Sequence, residues 1–483
     1  MSESARSGNE TNGERPHRRR RVRRRTDRTT QRASASRPPF NGPTSSTTPT
    51  SSDDPATPAN TVVSEGAEHQ PTSTAPVLRA PSEGIPPLIT DPAELTAATE
   101  ALRASTMPSA LDTERAQGRR YGSGAYLVQI RKDDVGTFLI DSHALPDLSS
   151  MQAALDTTWI FHAADQDLRC LLDLGLQPPD LFDTEIAARL TGMRRFSLGA
   201  LTEELLDVRL MKTHQDEDWS RRPLPRAWLS YAALDVELLT ALKAELESRL
   251  DQLGRSDWAA QEFEFEIAHP VEPRPPSWRN LKGVGRLRRP EELAVAKELW
   301  ETREEIGRST DLAPGRVLAT RGLIEAAALQ PRSKRALSSI DAFRRPVAKR
   351  NMDAWWEAVE KAYALPQDQL PQKVQHDPSV IPAASAWRSA NPEGLARLEE
   401  VRALVAKIAE GLDVDPEVVL APRDQRVLAW KPLTRRHSLT TAFTSRLEES
   451  EAREWQKELV IAELARAAKD SHLSVAALTA RAQ

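Results

Sequence analysis

Five side chains able to do chemistry lie far apart in this chain, and any fold that serves them must bring three separate segments to one place. They are Asp112 and Glu114 in LDTER, Asp167 in FHAADQDL, and Tyr231 and Asp235 in YAALD. A strand puts residues i and i+2 on one face, so Asp112 and Glu114 point together if LDTER is extended. A helix puts i and i+4 on one face, so Tyr231 and Asp235 point together if YAALD is helical.

Converging carboxylates repel one another unless cations sit between them. Hard, oxygen-preferring divalent ions are the usual partners. Two such ions, roughly 3.5–4 Å apart, are suited to in-line attack on a phosphodiester.

Composition narrows the field. At 483 residues the chain has room for two to four domains. Its one cysteine, Cys170, rules out an internal disulfide and a multi-thiolate metal site, and reads as a small buried apolar residue. That usage fits a reducing cytoplasm. No apolar run approaches the ~20 residues that span a bilayer, and no apolar stretch follows the basic N-terminal residues as a secretory signal would require. The net charge of −4 conceals segregation. Residues 1–32 hold 11 Arg against 4 acidic residues, net +7; residues 87–265 hold 18 basic and 30 acidic, net −12; residues 274–369 hold 19 basic and 13 acidic, net +6. A polyanion approaching the acidic centre needs attraction from the basic flanks.

Residues 1–86 are rich in Ser, Thr, Pro and Arg and are expected to be a disordered basic tail. Arg18 to Arg25 has no acidic interruption and reads as a non-specific phosphate-binding arm, against a solvated tail. Residues 87–265 alternate strand-like and helix-like patterns. AYLVQI (125–130) and GTFLID (136–141) predict a hairpin, TTWIFHA (157–163) and LFDT (181–184) further strands, and Ser197 the cap of a helix through Leu206. One long helix is expected from Arg226 to about Gln252. This is an α/β layer pattern. A Pro-rich linker (266–289) leads into a helical bundle (290–370); a second linker (371–391) leads into another helical unit (392–483). The two units are similar in size and helix pattern, which suggests duplication.

Taken together, the centre of the chain resembles ribonuclease D, of the DEDD exonuclease superfamily, over about residues 105–250. LDTER resembles the first exonuclease motif, HAADQDL the second, with Asp167 as its ligand, and YAALD the third, the Tyr-x-x-x-Asp form. The intervening LFDTEIAARLTG, SLGALTEELL and KTHQDEDWSRRPL are similar as well. The two helical units resemble HRDC domains, the first more clearly. The resemblance implies a ribonuclease H-like exonuclease domain, a mixed sheet flanked by helices, followed by two HRDC-type bundles. It implies two Mg2+ or Mn2+ ions held by Asp112, Glu114, Asp167 and Asp235, with Tyr231 positioning the attacking water. The implied activity is hydrolysis from the 3′ end of structured RNA such as transfer-RNA precursors, releasing nucleoside 5′-monophosphates. A cytoplasmic monomer without an obligate protein partner is expected.

Other residues carry weaker signals. Lys212, His214, Gln215, Trp219, Arg221 and Arg222 lie in a polar loop, where Arg could fork onto phosphate and Trp stack on a base; local packing is the alternative. Arg286, Arg288 and Arg289, with Arg279 and Lys282, precede the first bundle and are candidates for holding the RNA body. His162 reads as structural, and Asp183 as the cap of the next helix. Two competing functions share the pattern: a DNA 3′–5′ exonuclease of the same superfamily, and a non-catalytic RNA-binding scaffold.

Overall fold

The strand expected at LDTER forms and lies inside a six-stranded sheet. The structure, a computed structural model, describes residues 74–116, 118–211, 217–272, 275–373, 380–432 and 439–469. The strands are β1 (Val77–Leu78), β2 (Leu88–Ile89), β3 (Ser109–Arg115), β4 (Ala125–Lys132), β5 (Gly136–Ile140), β6 (Thr158–Phe161), β7 (Asp180–Asp183) and β8 (Arg209–Leu210). The large sheet has the order β2-β5-β4-β3-β6-β7. The β4–β5 hairpin and the β3–β4 pair are antiparallel, and β2–β5, β3–β6 and β6–β7 are parallel, which makes the sheet mixed. The parallel β6 pairs only with Ser109 and Ala110 of β3, so Asp112 to Glu114 run past its end.

Both faces of the sheet are covered. Leu111, Val128, Ile130 and Ile140 enter the larger core, with helices α1 (Pro92–Arg103), α2 (Leu168–Asp173), α3 (Thr184–Leu190), α4 (Leu198–Leu206), α6 (Leu239–Leu253) and α7 (Ser256–Ala268). Leu127 and Leu139 enter a smaller cluster under α5 (Arg226–Glu237), with Trp219, Leu224, Trp228, Ala232 and Ala233. At the end of β4 the fully buried Lys132 ammonium donates to three carbonyls, of Leu102, Ser105 and Ala154 (3.1, 2.9 and 3.2 Å), tying α1 to the sheet.

The structure differs from expectation at three points. The long helix from Arg226 breaks into α5 and α6 at Leu238, whose φ/ψ of −105/3 leaves the helical region. The segment expected to be tail up to residue 86 already holds β1, which pairs with β8, and Glu83, which bridges to Arg131 at 3.1 Å. Ser197 occupies the cap position of α4 but makes no side-chain cap bond. The Arg-rich run lies outside the described residues.

The first helical bundle begins with α8 (Pro290–Thr310), α9 (Pro314–Val317) and α10 (Thr320–Leu329) and packs around Trp355, Phe343 and Leu299. The second has helices at Pro392–Leu412, Pro416–Val419 and Pro422–Trp430 around Trp387, Val405 and Phe443. Among the described residues no helix is long and apolar enough to cross a membrane.

Candidate active site

Sheet geometry delivers the first pair of carboxylates as the spacing requires. Asp112 and Glu114 lie opposite Gln129 and Leu127 of β4, on the face covered by α5. Helix α5 brings Asp235 and Tyr231 onto the same face, one turn apart. Carboxylate oxygens of Asp112, Glu114 and Asp235 come within 4.8 Å of one another, and all three side chains are half-buried. Tyr231 donates a hydrogen bond to Asp235.

Asp167 stands beside this group rather than within it. It precedes α2 without capping it. Instead it accepts a 2.5 Å hydrogen bond from the Thr113 hydroxyl, between the two β3 carboxylates. Its charge reaches Asp112 all the same.

Burial and mutual repulsion shape the acidities. Burial, then the Asp167 and Asp235 charges, hold Asp112 well above the usual carboxylate range. Burial, then Asp112, Asp235 and Asp167, do the same to Glu114. Burial lifts Asp235 to about 7 against the Tyr231 hydrogen bond, and Asp167 to about 6 against the pull of Thr113 and Arg115. Burial and the nearby carboxylates push the Tyr231 phenol far above its ordinary value. An all-oxygen donor set kept reluctant to ionise by burial first, and by the neighbouring carboxylates second, is what a hard divalent cation relieves. The residues present therefore fit a metal of the magnesium or manganese kind.

Two supporting residues, Thr113 and Arg115, escaped the sequence reading, and a third, Asp183, does more than the capping expected of it. Thr113 lies within LDTER but reads as strand filler. Arg115 donates to the carbonyl and side chain of Gln166 (2.8 and 3.3 Å), clipping β3 to the turn before Asp167, and its charge favours the ionised forms of Asp112, Glu114 and Asp167. Asp183 caps α3 as expected, accepting from Glu185 and Ile186 N–H. It also accepts from the N–H groups of Ala163 and Ala164 (3.2 and 2.6 Å), and so holds the left-handed turn at Ala163 (φ 63) that leads to Asp167. His162 pairs with Thr184 at 3.0 Å, and burial lowers its pKa to about 4, a structural role.

The expected RNA contacts divide. Lys212, His214 and Gln215 lie outside the described residues. Trp219 is fully buried, against Trp228 and Tyr231 at 5.4 and 6.4 Å between ring centres, so it cannot stack on a base. Its ring instead backs the tyrosine of the site. Arg222 is also structural: Nε and Nη2 fork onto Asp141 at 2.6 Å each, and the guanidinium donates to the carbonyls of Tyr126, Trp219 and Arg221. Arg221 is exposed. Arg286, Arg288 and Arg289 are exposed as well; Arg289 pairs with Glu292 at 2.9 Å, while Arg286 and Arg288 have no ion pair among the described residues.

A mixed sheet flanked by helices, with clustered carboxylates on a central strand and on the helix above it, defines a metal-dependent 3′–5′ exonuclease. Residues 86–251 match the 3′–5′ exonuclease family, 292–359 the HRDC domain, and 380–468 the 3′ to 5′ exonuclease C-terminal domain. The chain is 32% identical to the ribonuclease D of Gluconacetobacter diazotrophicus over 359 residues, 72% of this chain and 87% of that protein. It is 32% identical to that of Pseudomonas paraeruginosa over 64% of this chain and 81% of that one. A crystal structure of a protein from Bifidobacterium adolescentis superposes with a TM-score of 0.73 at 33% identity, over 82% of this chain and all (100%) of that one. Escherichia coli RNase D, described as an exoribonuclease involved in structured RNA processing, gives 0.57 at 26% identity, over 76% and 99%. The chain belongs to the ribonuclease D family and is a hydrolytic 3′–5′ exoribonuclease. The unit expected to be a second HRDC domain matches a C-terminal domain family of its own.

Proposed function

We propose that the chain trims structured RNA, transfer-RNA precursors among them, from the 3′ end by a mechanism that uses two Mg2+ or Mn2+ ions and releases nucleoside 5′-monophosphates. The observation that carries this reading is the approach of Asp112, Glu114 and Asp235 to within 4.8 Å of one another. These three would hold the cations, with Asp167 serving through intervening water. When bound, such ions activate the attacking water and stabilise the departing 3′ oxygen.

The protein's own groups set the geometry. Tyr231 keeps its proton, since burial and surrounding charge raise its pKa far above neutrality. It therefore orients rather than deprotonates: its single proton goes to Asp235, and its oxygen remains able to accept a hydrogen bond from an attacking water. Thr113 fixes one oxygen of Asp167, and Asp183 fixes the turn that carries it. Exposed Arg221, Arg286 and Arg288 are the described candidates for the RNA backbone, whose contacts would be sequence-independent.

The test is digestion of a 3′-extended transfer RNA, and of matched RNA and DNA oligonucleotides, with and without EDTA, with product sizing. Stepwise loss of 3′ nucleotides as 5′-monophosphates, abolished by EDTA and stronger on RNA, is expected. Trimming that survives EDTA defeats the metal reading, and a preference for DNA defeats the substrate assignment.

A further inference from the structure

Gln129 sits at a position where an amide has no evident business. It is fully buried in the middle of β4, and neither Oε1 nor Nε2 has a hydrogen-bond partner among the described residues. The two other buried glutamines among the described residues are matched: Gln425 donates to the Leu420 carbonyl and Gln456 to that of Val418. An unmatched buried amide is costly, and a methionine would fill the same space without that cost.

The register says what the amide faces. Gln129 is the cross-strand partner of Asp112 on one side and of Leu139 on the other. Directly opposed residues of an antiparallel pair project on the same face, with Cβ atoms about 4.5–5.5 Å apart. That face is the one under α5, since Leu127 and Leu139 pack there against Ala232 and Ala233. Both flanking residues of β4, Val128 and Ile130, turn to the other core. The Gln129 carboxamide thus lies in the layer that Asp112 enters from β3 and Asp235 enters from α5. Across this layer its neighbour on β3 is a carboxylate, and a carboxylate accepts up to four hydrogen bonds.

We propose that Gln129 is a positioning residue for Asp112: when a divalent cation binds, its Nε2, which has no partner among the described residues of this structure, turns to donate to the Asp112 carboxylate and fixes the orientation in which that group holds the cation. The proposal rests on the reading that Asp112, Glu114 and Asp235 hold the cation. Groups that orient metal-binding carboxylates commonly change metal affinity by about 10–100-fold when removed.

The experiment compares wild type with Gln129→Met, in the full chain, by calorimetric titration of Mn2+, by thermal melting without metal, and by kcat and KM on RNA. Expected are an undiminished melting temperature without metal, an Mn2+ affinity weakened by about tenfold or more, and a fall in kcat at similar KM. Gln129→Asn keeps the amide but draws it back by one methylene; it is expected to bind Mn2+ less tightly than wild type and serves if the methionine variant does not fold. Wild-type uptake of Mn2+ with equal affinity in the variant would overturn this inference alone, and so would a variant whose only defect is a lower melting temperature. Absence of Mn2+ uptake by wild type would overturn the metal reading and this inference together.

Discussion

Asp311 and Asp413 occupy the same step of two successive helical modules, and each pairs with an arginine of the nuclease domain. Each ends a 21-residue helix in the left-handed conformation (φ 50 and 53), and each is followed by a four-residue helix that starts on proline. Asp311 receives Arg120 at 3.2 Å and Asp413 receives Arg194 at 2.8 Å. The following buried pairs also correspond, Val317–Leu318 with Val419–Leu420. Modules that match different families are thus built around one turn and dock on the nuclease through it. The first dock reaches the loop after β3, where Ala313 N–H and Arg316 donate to the Arg119 and Gly118 carbonyls.

At the second dock the backbone carries more than the ion pair does. Gly192 has φ +82, and a Cβ there would stand 2.3 Å from the Asp413 carbonyl oxygen. Gly192→Ala is expected to cost at least ~1–2 kcal/mol from conformation alone, with the clash added. Asp413→Asn, which tolerates the same left-handed turn, removes only the charge of an exposed pair and should stay within about 1 kcal/mol. The stacked Trp258 and Trp455 rings, 4.7 Å apart across the same interface, supply the readout. Their near-ultraviolet dichroism should weaken in Gly192→Ala and persist in Asp413→Asn.

The crowded carboxylates predict opposite effects on stability with and without metal. Asp112→Asn removes one of the repelling charges, so without metal the variant should melt at or above the wild-type temperature. With Mg2+ or Mn2+ at about 100 times the dissociation constant, wild type should gain roughly 2.7 kcal/mol. The variant should gain far less and should no longer trim RNA, while still binding it. Equal stabilisation of both proteins by the cation would remove Asp112 from the metal site.

How much of this was legible depended on the range of the interactions. Strands β4 to β7 followed from short apolar runs, and the shared face of Asp112 and Glu114 from their i, i+2 spacing, both properties of residues close in sequence. The break at Leu238 did not, because the apolar run VELLTALK continues across it while only tertiary packing divides the helices. Trp219 and Arg222 lie in a string of polar residues, which left RNA contact and local packing equally open. Trp219 is buried under α5, and the partner of Arg222 is Asp141, 81 positions away. Thr113 and Asp167 are likewise 54 positions apart, so local pattern carried no trace of their bond. The two-residue pairing of β1 with β8 is too short to leave a periodic signal.

The Arg222–Asp141 pair should contribute to the loss of stability in acid. Burial alone would raise Asp141, but the hydrogen bond and charge of Arg222, with the His143 and Ala144 N–H groups, outweigh it and hold the carboxyl below its usual value. A carboxyl with a depressed folded pKa contributes stability above its unfolded pKa, and that contribution is lost as pH falls through the folded value. Arg222→Leu should therefore destabilise the protein near neutrality by about 3 kcal/mol, since it strands a buried carboxylate. It should also flatten the decline of stability with acid. Melting curves from pH 7 down to about pH 3 test both. A decline as steep as that of wild type would mean the pair does not contribute to that loss.

The basic residues before the first bundle yield a prediction in salt. Arg286 and Arg288 are exposed and without ion pairs among the described residues, so their charge is available to a polyanion. Each phosphate contact contributes about 0.7 to the slope of log affinity against log salt on single-stranded nucleic acid. Arg286→Ala with Arg288→Ala should thus lower the slope by about 1.4 and weaken binding alike across RNA sequences. The chemical step, measured at saturating RNA, should not change, because neither residue is among the carboxylates or their supports. Arg289 is the internal control. Its guanidinium already pairs with Glu292 at the start of α8, so Arg289→Ala should change the slope less than either neighbour does. A slope that falls as much for Arg289→Ala as for its neighbours would mean that the pairing does not withhold its charge from RNA, and an unchanged slope in the double variant would place the RNA body elsewhere.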